Sequence, residues 1–410
     1  MKAKIWIVMA MLIFALPSFS QSRYRIRDRR LSLEKQLRSD LESAILKAGP
    51  LYILGNLSLL NAGYNSNINN YSQEEESDYT LTASPNITMI APFGRNFYLY
   101  LKGSYSYLFY LDNSGLDRSY YTLGADFISL FNYFTLSAGG SIQRESDFFE
   151  SEIDQRLFVE NRSGSIASEI KLSSNFSINL RFAQNETSYP DDDGLDDTLG
   201  RDSSAFTASV STKPLPNTSF TLGYTRSDDE FESNPLYDSN RRSYTLTINW
   251  ERQSKYFLDM SLSYTDFEPE NAPGKGYKGY FPDILLTFPV FYRMNISLSS
   301  QRDIYYSRNT DNYYYISTRN GIEAEYALSK RFSLIASYFF GKNSYEYPRT
   351  TEDGEIIPED DIYSYGGGFR ILLFDILNIR LTVANEKKES NIPSNNYDTL
   401  RVYITTSYKF

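Results

Sequence analysis

From Leu51 to the end of the chain, apolar and polar residues alternate singly. Phe97, Leu99, Leu101, Gly103, Tyr105, Tyr107 and Phe109 interleave with Tyr98, Tyr100, Lys102, Ser104, Ser106 and Leu108. Tyr244, Leu246, Ile248 and Trp250 interleave with Thr245, Thr247 and Asn249, and Leu377, Ile379, Leu381 and Val383 with Asn378, Arg380 and Thr382. A period of two places the two sets on opposite faces of a strand. About 18 such stretches follow one another, starting near Leu51, Tyr79, Asn96, Ser119, Tyr133, Leu157, Phe176, Ala205, Ser219, Ser243, Tyr256, Gly279, Tyr292, Tyr313, Phe332, Ile362, Leu377 and Thr399. The weak patterning near Gly279 and Ile362 sets the range at 16–18. Most stretches run roughly 10–14 residues, beyond the ~5–6 of a soluble strand. A tilted membrane strand needs ~9–11.

The connections alternate between short and long. Short ones fall at Pro92–Arg95, Ser129–Asn132, Lys213–Asn217 and Pro289–Phe291, for example; long ones at Gly63–Asp78, Glu186–Ser203, Asn343–Asp361 and Glu386–Asp398. Outer-membrane barrels pair short periplasmic turns with long extracellular loops on an even strand count. The pattern therefore predicts an all-β fold, a transmembrane antiparallel β-barrel over 51–410 with both ends in the periplasm. Aromatic residues crowd the strand ends (Tyr120-Tyr121, Tyr133-Phe134, Tyr305-Tyr306, Tyr313 to Tyr315), where interfacial girdles belong.

Two segments precede the barrel. Lys2 and Lys4, the apolar run Ile5 to Leu16, Pro17, and the small residues Ser18 and Ser20 have the order of a secretory signal peptide over 1–20. In 21–50, the spacing of Leu33, Leu37, Leu41, Ala44 and Ala48 predicts a short amphipathic helix, and Gly49-Pro50 predicts its stop. We expect this segment to lie on the periplasmic side and pack on the barrel as a plug-like element.

Composition narrows the chemistry. The 410 residues contain no His and no Cys, with 36 Tyr and 16% aromatics, so aromatic residues are scattered among polar ones. Triads built on His or Cys and zinc sites of those ligands are excluded. A carboxylate pair could not be singled out among 51 acidic residues, so we expect no enzyme, no cofactor and no metal site. The acidic "DDDGLDD" at 191–197 lacks the calcium-loop spacing of an EF-hand and reads as solvated loop. "GGG" at 366–368 lies in a strand pattern and predicts a bend or bulge. The net charge of -10 speaks against a nucleic-acid partner. The acid gathers in long loops (Glu74 to Glu76, Asp191 to Asp193, Asp228 to Glu230, Glu359 to Asp361), whereas short turns hold Arg95, Lys213, Arg252, Lys255, Lys330 and Arg331. Partners expected on this basis are outer-membrane lipid and lipopolysaccharide.

Out of phase with the apolar stripe stand Lys102, Arg181, Arg293, Arg319, Arg370, Arg380 and Arg401, together with Tyr98 and Tyr100. These are the candidate lumen-lining residues. Charge rings select ions or polar solutes in a pore; charge pairs equally brace a narrow lumen, and both readings stand.

The first stretch runs into "NAGYNSNINN", Asn61 to Asn70. Through Gly63, Tyr64, Asn65 and Asn67 it resembles the "GY-(D/N)-x-N" opening of the putative β-barrel porin 2 family. That resemblance implies a Gram-negative outer-membrane porin accompanying systems that make and export surface polysaccharide, with export components as partners. The function expected is a channel or export conduit for polar solutes. The alternative is a non-conducting structural or assembly barrel that binds partners through its acidic loops and N-terminal helix.

The chain closes on "LRVYITTSYKF", where Leu400, Val402, Ile404, Thr406, Tyr408 and Phe410 share one face. It resembles the terminal strand of outer-membrane barrels, which implies that Phe410 and Tyr408 form the signal read by the assembly machinery. Its physical task is to pair with the first strand and remove the sheet edge. Deleting Phe410 is expected to lower the amount of folded, heat-modifiable barrel in the membrane fraction; unchanged levels on immunoblots would refute this role.

Overall fold

The computed structural model describes residues 33–70, 75–148, 156–252, 255–307, 312–351, 354–374 and 377–409. The signal-peptide segment 1–20 and Phe410 lie outside the described residues. Eighteen long strands form the barrel. They are β1 Leu51–Asn65, β2 Asp78–Phe93, β3 Phe97–Tyr110, β4 Arg118–Leu130, β5 Phe134–Phe148 and β6 Arg156–Ser173. Then come β7 Phe176–Ser188, β8 Arg201–Leu215, β9 Thr218–Glu230, β10 Ser239–Arg252, β11 Tyr256–Pro269 and β12 Tyr277–Phe291. The last are β13 Met294–Tyr306, β14 Tyr314–Ala327, β15 Phe332–Tyr345, β16 Glu359–Leu373, β17 Leu377–Ser390 and β18 Tyr397–Lys409. Each pairs antiparallel with the next, and β1 pairs with β18, so no edge remains. The weakly patterned stretches near Gly279 and Ile362 are full strands. The long and short connections alternate throughout, as expected from the sequence.

The alternation of side chains decides the two faces. Leu222, Leu246 and Leu262 are register partners in one row across β9, β10 and β11, and all three are exposed. One row nearer the long loops, Tyr224, Tyr244, Tyr264 and Tyr280 also stand side by side. Ring centroids there lie 5.2 Å apart for Tyr224 and Tyr244 and 5.3 Å apart for Tyr264 and Tyr280. At the short-turn end Phe97 meets Phe127 and Phe131 at 5.9 and 5.8 Å. An apolar waist between two aromatic girdles is the surface that lipid covers. Among the described residues no helix is long and apolar enough to cross a membrane.

Closure uses the residues that the sequence had singled out at Asn61–Asn70. Leu57 faces Tyr408 and Asn65 faces Arg401, with a bulge between Leu59 and Ala62 where Asn61 takes φ +52°. Beyond the strand, Ser66 N donates to Leu400 O at 2.9 Å, and Leu400 N donates to Ser66 Oγ at 2.8 Å. Thr399 Oγ1 donates to Asn70 Oδ1 at 3.2 Å. Gly63 sits where a Cβ would lie 1.9 Å from Val402 O, so only glycine lets the strands meet there.

Two local expectations are corrected. The helix, α1 Leu33–Glu42, is shorter than its periodicity suggested. Leu46–Ala48 instead form a short strand on β1, with Leu46 opposite Ile53 and Ala48 opposite Leu51, because this edge of β1 offers backbone partners. Gly366, Gly367 and Gly368 mark no bulge: each has one partner in β15 and one in β17, without a register shift. The physical reason for glycine is close approach, since a Cβ on Gly368 would lie 1.9 Å from Leu381 O.

Gly63→Val is expected to destabilise the seam by about 1–3 kcal/mol, the usual cost of overpacking. A lower urea midpoint of heat-modifiable migration would show it, and an unchanged midpoint would contradict the closure described.

Candidate functional site: the barrel lumen

The lumen has a floor, two walls and a roof. α1 makes the floor. Leu37, only 2% exposed, packs with Ile90, Tyr100 and Ile128, and Leu41, Tyr52, Leu54, Tyr98 and Leu130 complete the contact. These strand residues alternate with outward-facing Ile87, Leu101 and Phe127, so the helix lies inside the barrel, at its short-turn end. The Tyr100 hydroxyl donates to Asp40 Oδ2 at 3.2 Å, fastening the helix by its polar side as well. Between helix and wall remains a cavity of about 450 Å³ whose lining includes Arg38, Arg95, Lys171, Tyr98 and Asn132.

One wall, on β8 to β13, carries neutral hydroxyl pairs. Ser211 meets Thr221 at 2.8 Å, Thr245 meets Ser263 at 2.7 Å, Thr247 meets Ser261 at 2.9 Å and Thr287 meets Ser297 at 3.0 Å. Each pair bridges neighbouring strands, and with Asp259 and Asp283 on the same inward face they make a wet, polar surface.

The other wall holds most of the charged candidates. Lys102 pairs with Asp126 at 3.0 Å. Arg370 and Arg380 are direct register partners, and they reach Glu325 and Glu323 on β14, the latter at 3.6 Å. Arg401 reaches Glu386 at 3.5 Å. Arg319 donates to Asn343 Oδ1 at 2.9 Å. Arg181 stands exposed between the outward Leu180 and Phe182 and has no ion-pair partner among the described residues. Arg293 is displaced from the expected position. It lies in the two-residue turn between β12 and β13, and Nη1 donates to Leu328 O at 3.1 Å. The strand starts at Met294, two residues later than the alternation implied, because Phe291 already pairs with Met294. Tyr98 and Tyr100 face inward but lie beneath α1, and Tyr408 sits in the closing seam opposite Leu57.

The roof was not anticipated. Phe231, Tyr237, Phe267, Phe281, Ile304, Tyr306 and Tyr314 are buried together at the long-loop end, with Leu195 and Leu199 of α2 Asp193–Leu199. Phe231 meets Tyr306 edge-on at 4.8 Å, and Phe267 meets Tyr314 at 5.1 Å. Polar tips are satisfied within the cluster: Tyr306 bonds Asp229 and Ser239, and Arg302 Nη2 donates to the Tyr277 hydroxyl at 2.8 Å. Arg201 lies over the rings of Phe231 and Tyr306 at 5.9 and 5.1 Å. The aromatic residues that the pattern assigned to strand ends thus serve inside the mouth as well as in the girdle.

Several acidic loop residues are clamps rather than solvated charges. Asp117 accepts from Tyr110 N at 2.8 Å, Asp196 from Tyr189 N at 2.6 Å and Asp238 from Phe231 N at 2.7 Å, each across seven residues. "DDDGLDD" forms the start of α2, where Asp192 caps Leu195 N and Asp191 pairs with Arg144. The signal was present: Gly-Leu-Asp recurs at 115–117 and 194–196. Asp78 is buried and accepts from the backbone of Leu111, Asp112 and Asn113 at 3.1, 3.1 and 2.8 Å, tying the second loop to the first.

No protein-family model and no curated protein matches the chain. Solved structures do. A BenF-like porin from Pseudomonas fluorescens Pf-5 aligns with TM-score 0.52 at 12% identity, covering 87% of this chain and 98% of that one. The outer membrane protein opdK from Pseudomonas aeruginosa aligns with TM-score 0.51 at 12% identity and the same coverage. OccAB4 from Acinetobacter baumannii aligns with TM-score 0.51 at 11% identity, again covering 87% and 98%. The fold is that of outer-membrane porins. With its apolar, girdled exterior, the barrel belongs in the outer membrane. The narrower resemblance to the porin 2 family gains no support, since Gly63 and Asn65 are accounted for by closing the seam.

Leu37→Asp should detach the helix, because it would bury an unpaired charge against Ile90 and Ile128. Trypsin cleavage after Arg38 is expected to accelerate by about tenfold or more, the equivalent of 1.4 kcal/mol, while the barrel keeps its heat-modifiable migration. Unchanged cleavage would place the helix outside the packed floor.

Proposed function

We propose that this protein is a porin-like channel that admits small polar solutes passively, without catalysis, and that its short turns and α1 face the periplasm. The observation that carries the reading is the inward face: hydroxyl pairs on one wall and compensated charges on the other, inside a closed barrel. Such a lining replaces part of a solute's hydration shell without holding it tightly, as conduction requires. α1 below and the aromatic roof above narrow the path at both ends, so the channel is selective by size. A role in polysaccharide export rested on the short motif at Gly63–Asn67 and has no further observation behind it.

The reading also says which charges set selectivity. Arg370 and Arg380 are neutralised by Glu325 and Glu323, whereas Arg181 is not.

Purified full-length protein in planar bilayers is expected to show ohmic steps, enlarged when residues 33–42 are deleted. Arg181→Gln should shift the reversal potential in a salt gradient towards cations, and Arg293→Gln should not. A folded protein that stays silent with and without α1 would favour a structural barrel.

A further inference from the structure

We propose that the outer face of β9 to β12 binds the phosphorylated headgroup of lipopolysaccharide. The site is a row of cations directly above the tyrosine girdle. Arg226 faces Arg242, Arg242 faces Asp266, and Asp266 faces Lys278 in successive strand registers. Two residues along each strand towards the short-turn end lie Tyr224, Tyr244, Tyr264 and Tyr280, the last three plainly exposed. Alternation therefore points Arg226, Arg242 and Lys278 out of the barrel, and all three are exposed. Girdle tyrosines sit at headgroup level. The next row towards the long loops lies where the phosphates of an outer-leaflet lipid would be.

The charge arrangement calls for an anion. Like charges directly opposite each other in a ladder are destabilising, yet Arg226 and Arg242 occupy such a pair. Arg226 has Asp228 at 3.0 Å and Lys278 has Asp266 at 2.8 Å. These are exposed pairs of the kind that exchange partners at little cost. Arg242 has no carboxylate partner among the described residues. A guanidinium without a partner matches phosphate through parallel N–H···O bonds. Three cations over four adjacent strands span roughly 15 Å, enough for more than one phosphate on a single headgroup. Towards the long loops the same outer face turns acidic, with Asp228 and Glu268 one row further on, so the cations mark its boundary with the girdle.

This inference uses the proposed orientation, long loops outward, but not conduction. The test is lipid retention by the folded full-length protein in detergent, read by native mass spectrometry, with bisphosphorylated lipid A as probe. Dephosphorylated lipid A and phosphatidylglycerol serve as controls. Retention of the bisphosphorylated lipid should exceed both and weaken with salt. R226Q/R242Q/K278Q should lose it by about tenfold or more, since charge-assisted hydrogen bonds to phosphate are the strong ones, with bilayer conductance unchanged. R242Q, which breaks no ion pair within the protein, should lose part of it and covers the case in which the triple variant fails to fold. Equal retention by wild type and R242Q, or equal retention of the dephosphorylated lipid or of phosphatidylglycerol, overturns the assignment.

Discussion

In hydrocarbon, a backbone N–H or C=O without a partner costs several kcal/mol, and no water is there to supply one. Everything in this molecule depends on meeting that constraint, and the bonds between β1 and β18 are what complete it. The ladder from Leu57–Tyr408 to Asn65–Arg401 converts an open sheet with two exposed edges into a closed wall. The chain spends unusual residues on this seam: Gly63 to permit contact, Asn61 in a left-handed conformation at the bulge, and Ser66 and Asn70 to extend bonding past the strands. A motif that resembled a family signature is, in physical terms, the fastening of the barrel.

Once closed, the wall separates two solvents, and the same alternation serves both. Outside, leucines at the waist and aromatic residues at the rims match the lipid profile. Inside, the polar face is not a ring of bare charge. Lys102, Arg370, Arg380 and Arg401 each have a carboxylate within reach, so the interior is braced by ion pairs while remaining wet. Of the two readings that the sequence left open for these cations, ion pairing fits Lys102, Arg370, Arg380 and Arg401, whereas Arg181 has no ion-pair partner among the described residues.

The barrel was legible because period-two patterning is imposed residue by residue by the two solvents. Strand starts were legible to within a few residues, and the alternation of short and long connections was fully so. Errors arose where a neighbouring strand, not a solvent, sets the conformation. Arg293 fell into a turn because Phe291 and Met294 pair across it, and Gly366–Gly368 stayed in register because β17 crowds them from the side. The loop clamps were missed for a related reason. An aspartate that accepts a backbone N–H seven residues earlier looks, in sequence, like any acid in a polar loop.

The amino-acid order by itself determined the class of fold, the strand number to within two, the direction each strand side chain takes and the absence of histidine and thiol chemistry. These follow from local rules: a periodicity, a length, a composition. Only the tertiary structure decided that α1 lies inside the barrel against Tyr100, that Phe231, Phe267 and Tyr306 gather into a roof, and that Arg226, Arg242 and Lys278 form a single row. Each of these joins residues far apart in the chain, and their proximity is set by the register of a closed sheet, which no local pattern contains.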